Sequence, residues 1–167
     1  DWQYSRMHKG RPKKGAQRPR SRHRTPSRIE LVERLDAEGL LPAITFVFSR
    51  AGCAAAVQQC LDARLSLTTP EEQAEIAAVV DESCAHLPDA DLEVLGYHEF
   101  RAALVRGIAA HHAGMLPTFK EVVEVLFSQG LVKMIFATET LALGINMPAR
   151  SVVIERLSKW NGETHAN

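Results

Sequence analysis

The sequence predicts an α/β layer sandwich with a mainly parallel sheet, preceded by a disordered basic segment. Three observations carry this reading. Short, continuous apolar runs rich in β-branched and aromatic residues recur along the chain, helical patterns alternate with them, and the opening stretch holds almost no aliphatic residues.

The opening stretch, residues 1–28, carries three prolines, two glycines and ten Lys/Arg against one acid, so burial cannot offset its ordering entropy. The remaining residues hold ten bases against nineteen acids, and the formal net charge of zero conceals parts of +9 and −9. A basic segment on an acidic body suggests contact with nucleic acid or another acidic surface. A solvated linker between two domains fits the same residues.

From Arg28 the texture changes. Ile29, Leu31, Val32 and Leu35 fall on one side of a short helix, with Gly39 placed to end it and Pro42 beyond. The run "AITFVF", 43–48, reads as a strand covered on both faces, and "SRAGCAAAVQQCLDARL" as the turn and helix that follow it. Residues 66–95 form a helical insertion opened by Thr69 as cap, Pro70 in the first turn and acids at the positive end of the helix dipole. A helix over 97–105, a short strand over 107–110, a helix from Pro117 ended by Gly130, a strand over 132–137 and a last strand over 151–157 complete the pattern.

One stretch imitates a magnesium site. "AAVVDES", 77–83, looks like the apolar strand and Asp-Glu pair of nucleotide hydrolases, but Ile76, Val79 and Val80 keep helical spacing from Pro70 onward. Asp81 and Glu82 are therefore expected at a solvated helix end.

Other chemistries find little support. No run of eighteen apolar residues is present, which excludes a helical membrane span, and no apolar signal region follows the first residues, so a cytoplasmic chain is expected. Cys53, Cys60 and Cys84 lack metal-ligand spacing and read as small buried hydrophobes in a reducing compartment. Ser49 is not in a nucleophile elbow, and adjacent His111 and His112 on a strand point to opposite faces, one ring buried and one exposed, and cannot chelate together. There is neither a G-x-x-x-x-G-K-[ST] loop to cradle phosphates nor a G-x-G-x-x-G after a strand. No metal site is expected.

In a parallel α/β sheet, ligands sit beyond the carboxyl ends of the strands. Ser49 and Arg50 lie at one such end, and Thr138, Glu139 and Thr140 at another. Hydroxyls, backbone N–H groups and an arginine there suit phosphates of a nucleic-acid backbone without reading bases. Thr138 and Thr140 fit equally well as caps of the turn.

Three stretches, "ITFVFSRAGC", "GIAAHHAGMLP" and "VKMIFATETLALGINMPARSVV", resemble in order and separation motifs IV, IVa and V of superfamily 2 DExH-box helicases. The likeness is to RNA helicases of the superkiller and exosome-associated class and their bacterial HelY-type relatives, and it covers about residues 29–165. The third stretch is the specific one. The resemblance implies a second RecA-like domain in a three-layer fold, with residues 29–167 forming part of the helicase C-terminal domain. It implies that Ser49, Arg50, His112, Gly114, Thr138, Glu139 and Thr140 meet the nucleic-acid backbone, that Gly144 and Asn146 approach ATP, and that Pro148 holds the exit of the motif.

It also implies what a complete enzyme needs beyond these residues: a first RecA-like domain with a phosphate loop and a D-E-x-H magnesium site, and motif VI, Q-x-x-G-R-A-G-R. None occurs in this sequence. A fragment of an ATP- and Mg2+-dependent helicase, inactive alone, is thus the expectation, with RNA or single-stranded nucleic acid and the first domain as partners. A non-enzymatic module that binds single strands without ATP is the alternative.

Overall fold

A computed structural model describes residues 25–138 and 148–155. Ser27 opens the body. Its hydroxyl accepts the N–H of Glu30 while the Glu30 carboxylate accepts the N–H of Ser27, so a reciprocal cap starts helix α1, Arg28–Ala37. The expected disorder of the basic segment falls mostly on residues 1–24, outside the described residues. The chain continues through β1 Ala43–Phe46, α2 Arg50–Asp62, α3 Pro70–Ser83, α4 Asp89–Val94, α5 Tyr97–Val105, β2 Ile108–His111, α6 Pro117–Ser128, β3 Met134–Ala137 and β4 Ser151–Ile154.

The four described strands are all parallel, in the order β2-β3-β1-β4. In register, Ile44 lies beside Ile135 and Val152, and Ala109 beside Ile135. Because successive side chains leave a strand on opposite faces, two cores result. Ile44, Ala109, Ile135 and Ala137 pack with α3, α5 and α6 on one face. Ala43, Ile108, Met134 and Phe136 pack with α1 and α2 on the other. The fold is the expected sandwich of helices, sheet and helices.

The insertion is no appendage. A capping box between Thr69 and Glu72 starts α3, with Pro70 in its first turn, and Ile76 and Val80 are fully buried in the first core. Phe127 of α6 is also fully buried, and its truncation to alanine is expected to cost about 3–5 kcal/mol.

Strand boundaries differ from the sequence reading where backbone geometry decides. Gly107 takes a φ of 80°, which ordinary strand residues avoid, so β2 starts one residue late and takes in His111. The N–H of Val132 is bonded to Leu126 at the end of α6, and β3 begins only at Met134. The last strand ends at Ile154, with Glu155 described beyond it, and positions 156 and 157 of its expected length lie outside the described residues.

Helix α6 and its neighbours do not cover β4. Val152 and Ile154, on the same face as Ile44, remain exposed. On the other face Arg28 grips Glu155 through Nε and Nη2 at 2.7 and 2.9 Å, tying the start of α1 to the end of β4. Among the described residues no helix is long and apolar enough to cross a membrane.

Candidate nucleic-acid interface

Parallel pairing sends the exits of β1, β2 and β3 to one rim of the sheet, with the β3 exit between the other two. Ser49 leaves β1 with extended backbone, and its Oγ accepts the Gly52 N–H at 2.9 Å, capping α2. The hydroxyl hydrogen of Ser49 is left for a further acceptor. A Cβ on Gly52 would stand 2.7 Å from Ser49 Oγ and from Val47 Cγ1, so glycine is what permits this tight turn. Arg50 is the first residue of α2 and is exposed.

The β2 exit comes to meet it. His112 Nδ1 accepts the Gly114 N–H at 3.1 Å, which places the hydrogen of a neutral ring on Nε2. Arg50 lies over Gly114, where an added Cβ would stand 3.1 Å from Arg50 Nη1 and 3.2 Å from Arg50 Cδ. The structure thus joins Arg50 to His112 and Gly114, from which the sequence holds it far apart.

The region is electropositive. Burial, helped by the charges of Arg50, His111 and Lys120, holds the His112 imidazole below its ordinary range, so the ring is neutral at pH 7. Arg50 and Lys120 have no ion-pair partner among the described residues, whereas Arg28, Arg101 and Lys133 are each paired. Two unneutralised cations, an Nε2–H donor and a serine hydroxyl match the needs of a phosphodiester oxygen.

Thr138 leaves β3 half-buried and donates its N–H to His111 O at 3.3 Å, so it stands on the same rim. Glu139, Thr140, Gly144 and Asn146 lie outside the described residues. Pro148 is described and exposed, and past it Arg150 and Ser151 anchor the entry to β4 on the carbonyls of Gly39, Pro42 and Leu40.

Two features escaped the sequence reading. Lys120 was legible only as a base in the first turn of α6, and nothing in the sequence placed its charge near His112. Buried His111 pairs through Nε2 with Glu124 Oε1 at 2.7 Å, a contact between a strand end and a helix that no local pattern announces.

The apparent magnesium pair is accounted for otherwise. Asp81 lies on α3, as helical spacing required, and accepts hydrogen bonds from Arg101 Nε at 2.8 Å, Arg101 Nη2 at 3.0 Å and Tyr97 Oη at 3.0 Å. Arg101 and then Tyr97 hold its carboxyl below the usual range, and the group pins α3 to α5. Its chemistry as found does not fit a magnesium ligand. All three cysteines are buried, and burial pushes the thiols of Cys53 and Cys60 up to about 11, so neither is a thiolate at neutral pH.

No family model matches the chain. Among curated proteins, "Probable helicase HelY" of Mycobacterium tuberculosis (strain ATCC 25618 / H37Rv) is 64% identical over 165 residues, which is 99% of this chain and 17% of that protein. "DExH-box ATP-dependent RNA helicase DExH15 chloroplastic" of Arabidopsis thaliana is 45% identical over 141 residues, 84% of this chain and 11% of that protein. Human "Superkiller complex protein 2" is 40% identical over 136 residues, 81% of this chain and 11% of that protein. The chain therefore spans less than a fifth of the length of these relatives. With this identity over almost its whole length, on a parallel α/β scaffold, the chain belongs by sequence to the superfamily 2 DExH-box helicases of the HelY type.

Proposed function

We propose that the chain is part of the second RecA-like domain, residues 29–167, of an ATP-dependent helicase acting on RNA, and that it supplies contacts to the nucleic-acid backbone. The observation that carries this reading is the meeting of Arg50, His112 and Gly114 beyond the carboxyl ends of two parallel strands. Contacts of this kind hold phosphate and sugar and give little sequence preference.

In the parent, ATP binding draws the first domain against this one and hydrolysis releases it, so that the grip on the strand advances. ATP and Mg2+ are held mainly by that first domain, with Gly144 and Asn146 of this chain on the nucleotide side. Thr138, Glu139 and Thr140 join the backbone contact. RNA is supported by the name of the Arabidopsis relative above, an ATP-dependent RNA helicase, and a cytoplasmic location by the buried free thiols.

The test separates this domain reading from a stand-alone single-strand binding module. Deleting residues 1–24 removes most of the basic segment while keeping the Ser27 cap and the Arg28–Glu155 pair. The domain reading expects weak, Arg50-dependent binding of a short oligouridylate after the deletion and no ATPase activity. Undiminished tight binding would favour the module, and ATP hydrolysis by the chain alone would refute the division of labour.

A further inference from the structure

His111 joins three elements at the rim. It ends β2, its carbonyl accepts the Thr138 N–H at the exit of β3, and its ring donates Nε2–H to Glu124 Oε1 on α6 at 2.7 Å. The carboxylate only accepts, so the proton of that bond belongs to the ring. The His111 side chain is 6% exposed and that of Glu124 23%, so the bond lies where water competes poorly.

The other ring nitrogen is the telling atom. Among the described residues His111 Nδ1 is buried without a hydrogen-bond partner. A leucine or phenylalanine would fill the same space without stranding a polar atom, and such an orphan calls for an explanation beyond packing. The bond through Nε2 supplies it, because it fixes the last strand residue before the turn of His112 and Gly114.

We propose that His111 and Glu124 are a positioning pair for the phosphate cradle. The pair sets the path of the chain out of β2 and thereby holds His112 with its Nδ1 on the Gly114 N–H and its Nε2–H directed to ligand, alongside Arg50. Neither His111 nor Glu124 touches the strand itself. This inference rests on the backbone-binding reading given above.

The experiment compares Glu124→Met, which keeps the length of the side chain and removes the acceptor, with Glu124→Gln, which keeps an acceptor oxygen. Two quantities are read on the full 167-residue chain: the nitrogen NMR shifts of the His112 ring, which report the Nδ1-acceptor tautomer, and the oligouridylate concentration that half-shifts the Gly114 amide. Glu124→Met is expected to lose the His112 signature and to bind at least fivefold more weakly at unchanged helical content, while Glu124→Gln stays within about twofold of wild type. An unchanged signature and affinity in Glu124→Met overturns the proposal, as does weakened binding with the signature intact. Should Glu124→Met fail to fold, His111→Gln carries the test. Its amide keeps an N–H for Glu124, so loss of the His112 signature there counts against positioning. If Arg50→Ala leaves wild-type affinity unmoved, the backbone-binding reading fails, and the His112 signature alone still decides whether the pair positions the turn.

Discussion

Replacing Arg50 by alanine tests the interface most directly, because the structure separates its effect on binding from any effect on folding. Arg50 is exposed, has no ion pair among the described residues, and occupies the first position of α2, where alanine is well tolerated. Stability should stay within about 0.5 kcal/mol of wild type. A guanidinium about 4 Å from a phosphate gains about 1 kcal/mol in bulk water and about 4 kcal/mol at an effective dielectric of 20. The exposure of Arg50 and of Gly114 beneath it places the loss near the lower end, about 1–2 kcal/mol, or about 5- to 30-fold in affinity. The slope of log affinity against log salt should also fall by about 0.7, the share of one phosphate contact on a single strand. Fluorescence anisotropy with a labelled oligouridylate at several salt concentrations, on the chain lacking residues 1–24, measures both. Unchanged affinity and slope in Arg50→Ala would refute the argument, and Arg50→Lys, which keeps the charge, should retain the slope.

Three further outcomes are expected. Lys133, hydrogen-bonded to Glu72 at 2.7 Å, holds the Glu72 carboxyl below its ordinary range. A depressed carboxylate pKa stabilises the fold above the unfolded value and loses that contribution as pH falls through the folded one. Glu72→Gln should thus lower the melting temperature at pH 7, by the equivalent of about 0.5–1 kcal/mol, and the gap should close on acidification; a constant gap from pH 7 to pH 3 would contradict it. Gly107→Ala should destabilise by more than about 1 kcal/mol in chemical denaturation, because its φ of 80° is strained for alanine and the new Cβ would lie 2.9 Å from Thr68 Cγ2 and 3.3 Å from Leu131 O. Val152→Lys combined with Ile154→Lys should shift the chain toward monomer in sedimentation velocity, since both are exposed on the uncovered face of β4; wild type that is already monomeric at high concentration would show that the patch does not associate.

The layers of the fold were legible because each rests on local pattern. Continuous apolar runs marked buried strands, Thr69 with Pro70 marked the start of α3, and helical spacing placed Asp81 on a helix. The strand ends were less legible, because the φ of Gly107 and the bond from Val132 to Leu126 depend on the folded chain. For the site, sequence supplied the turns and not their partners. That Arg50 lies on Gly114 is a product of strand order, and that the Lys120 charge reaches His112 and His111 reaches Glu124 is a product of how α6 packs back on the end of β2, neither of which a single stretch of residues encodes.

The space above Gly114 is shared property. Its absent side chain is where the Arg50 guanidinium rests, so a change at one position is felt at the other. A methyl at 114 displaces the arginine by a few tenths of an ångström and also crowds His112 Nδ1 at 3.1 Å, so a small residue at 50 relieves the arginine's share of the crowding. Among related chains, side chains at 114 should accordingly be commoner where the arginine at 50 has been given up than where it is kept.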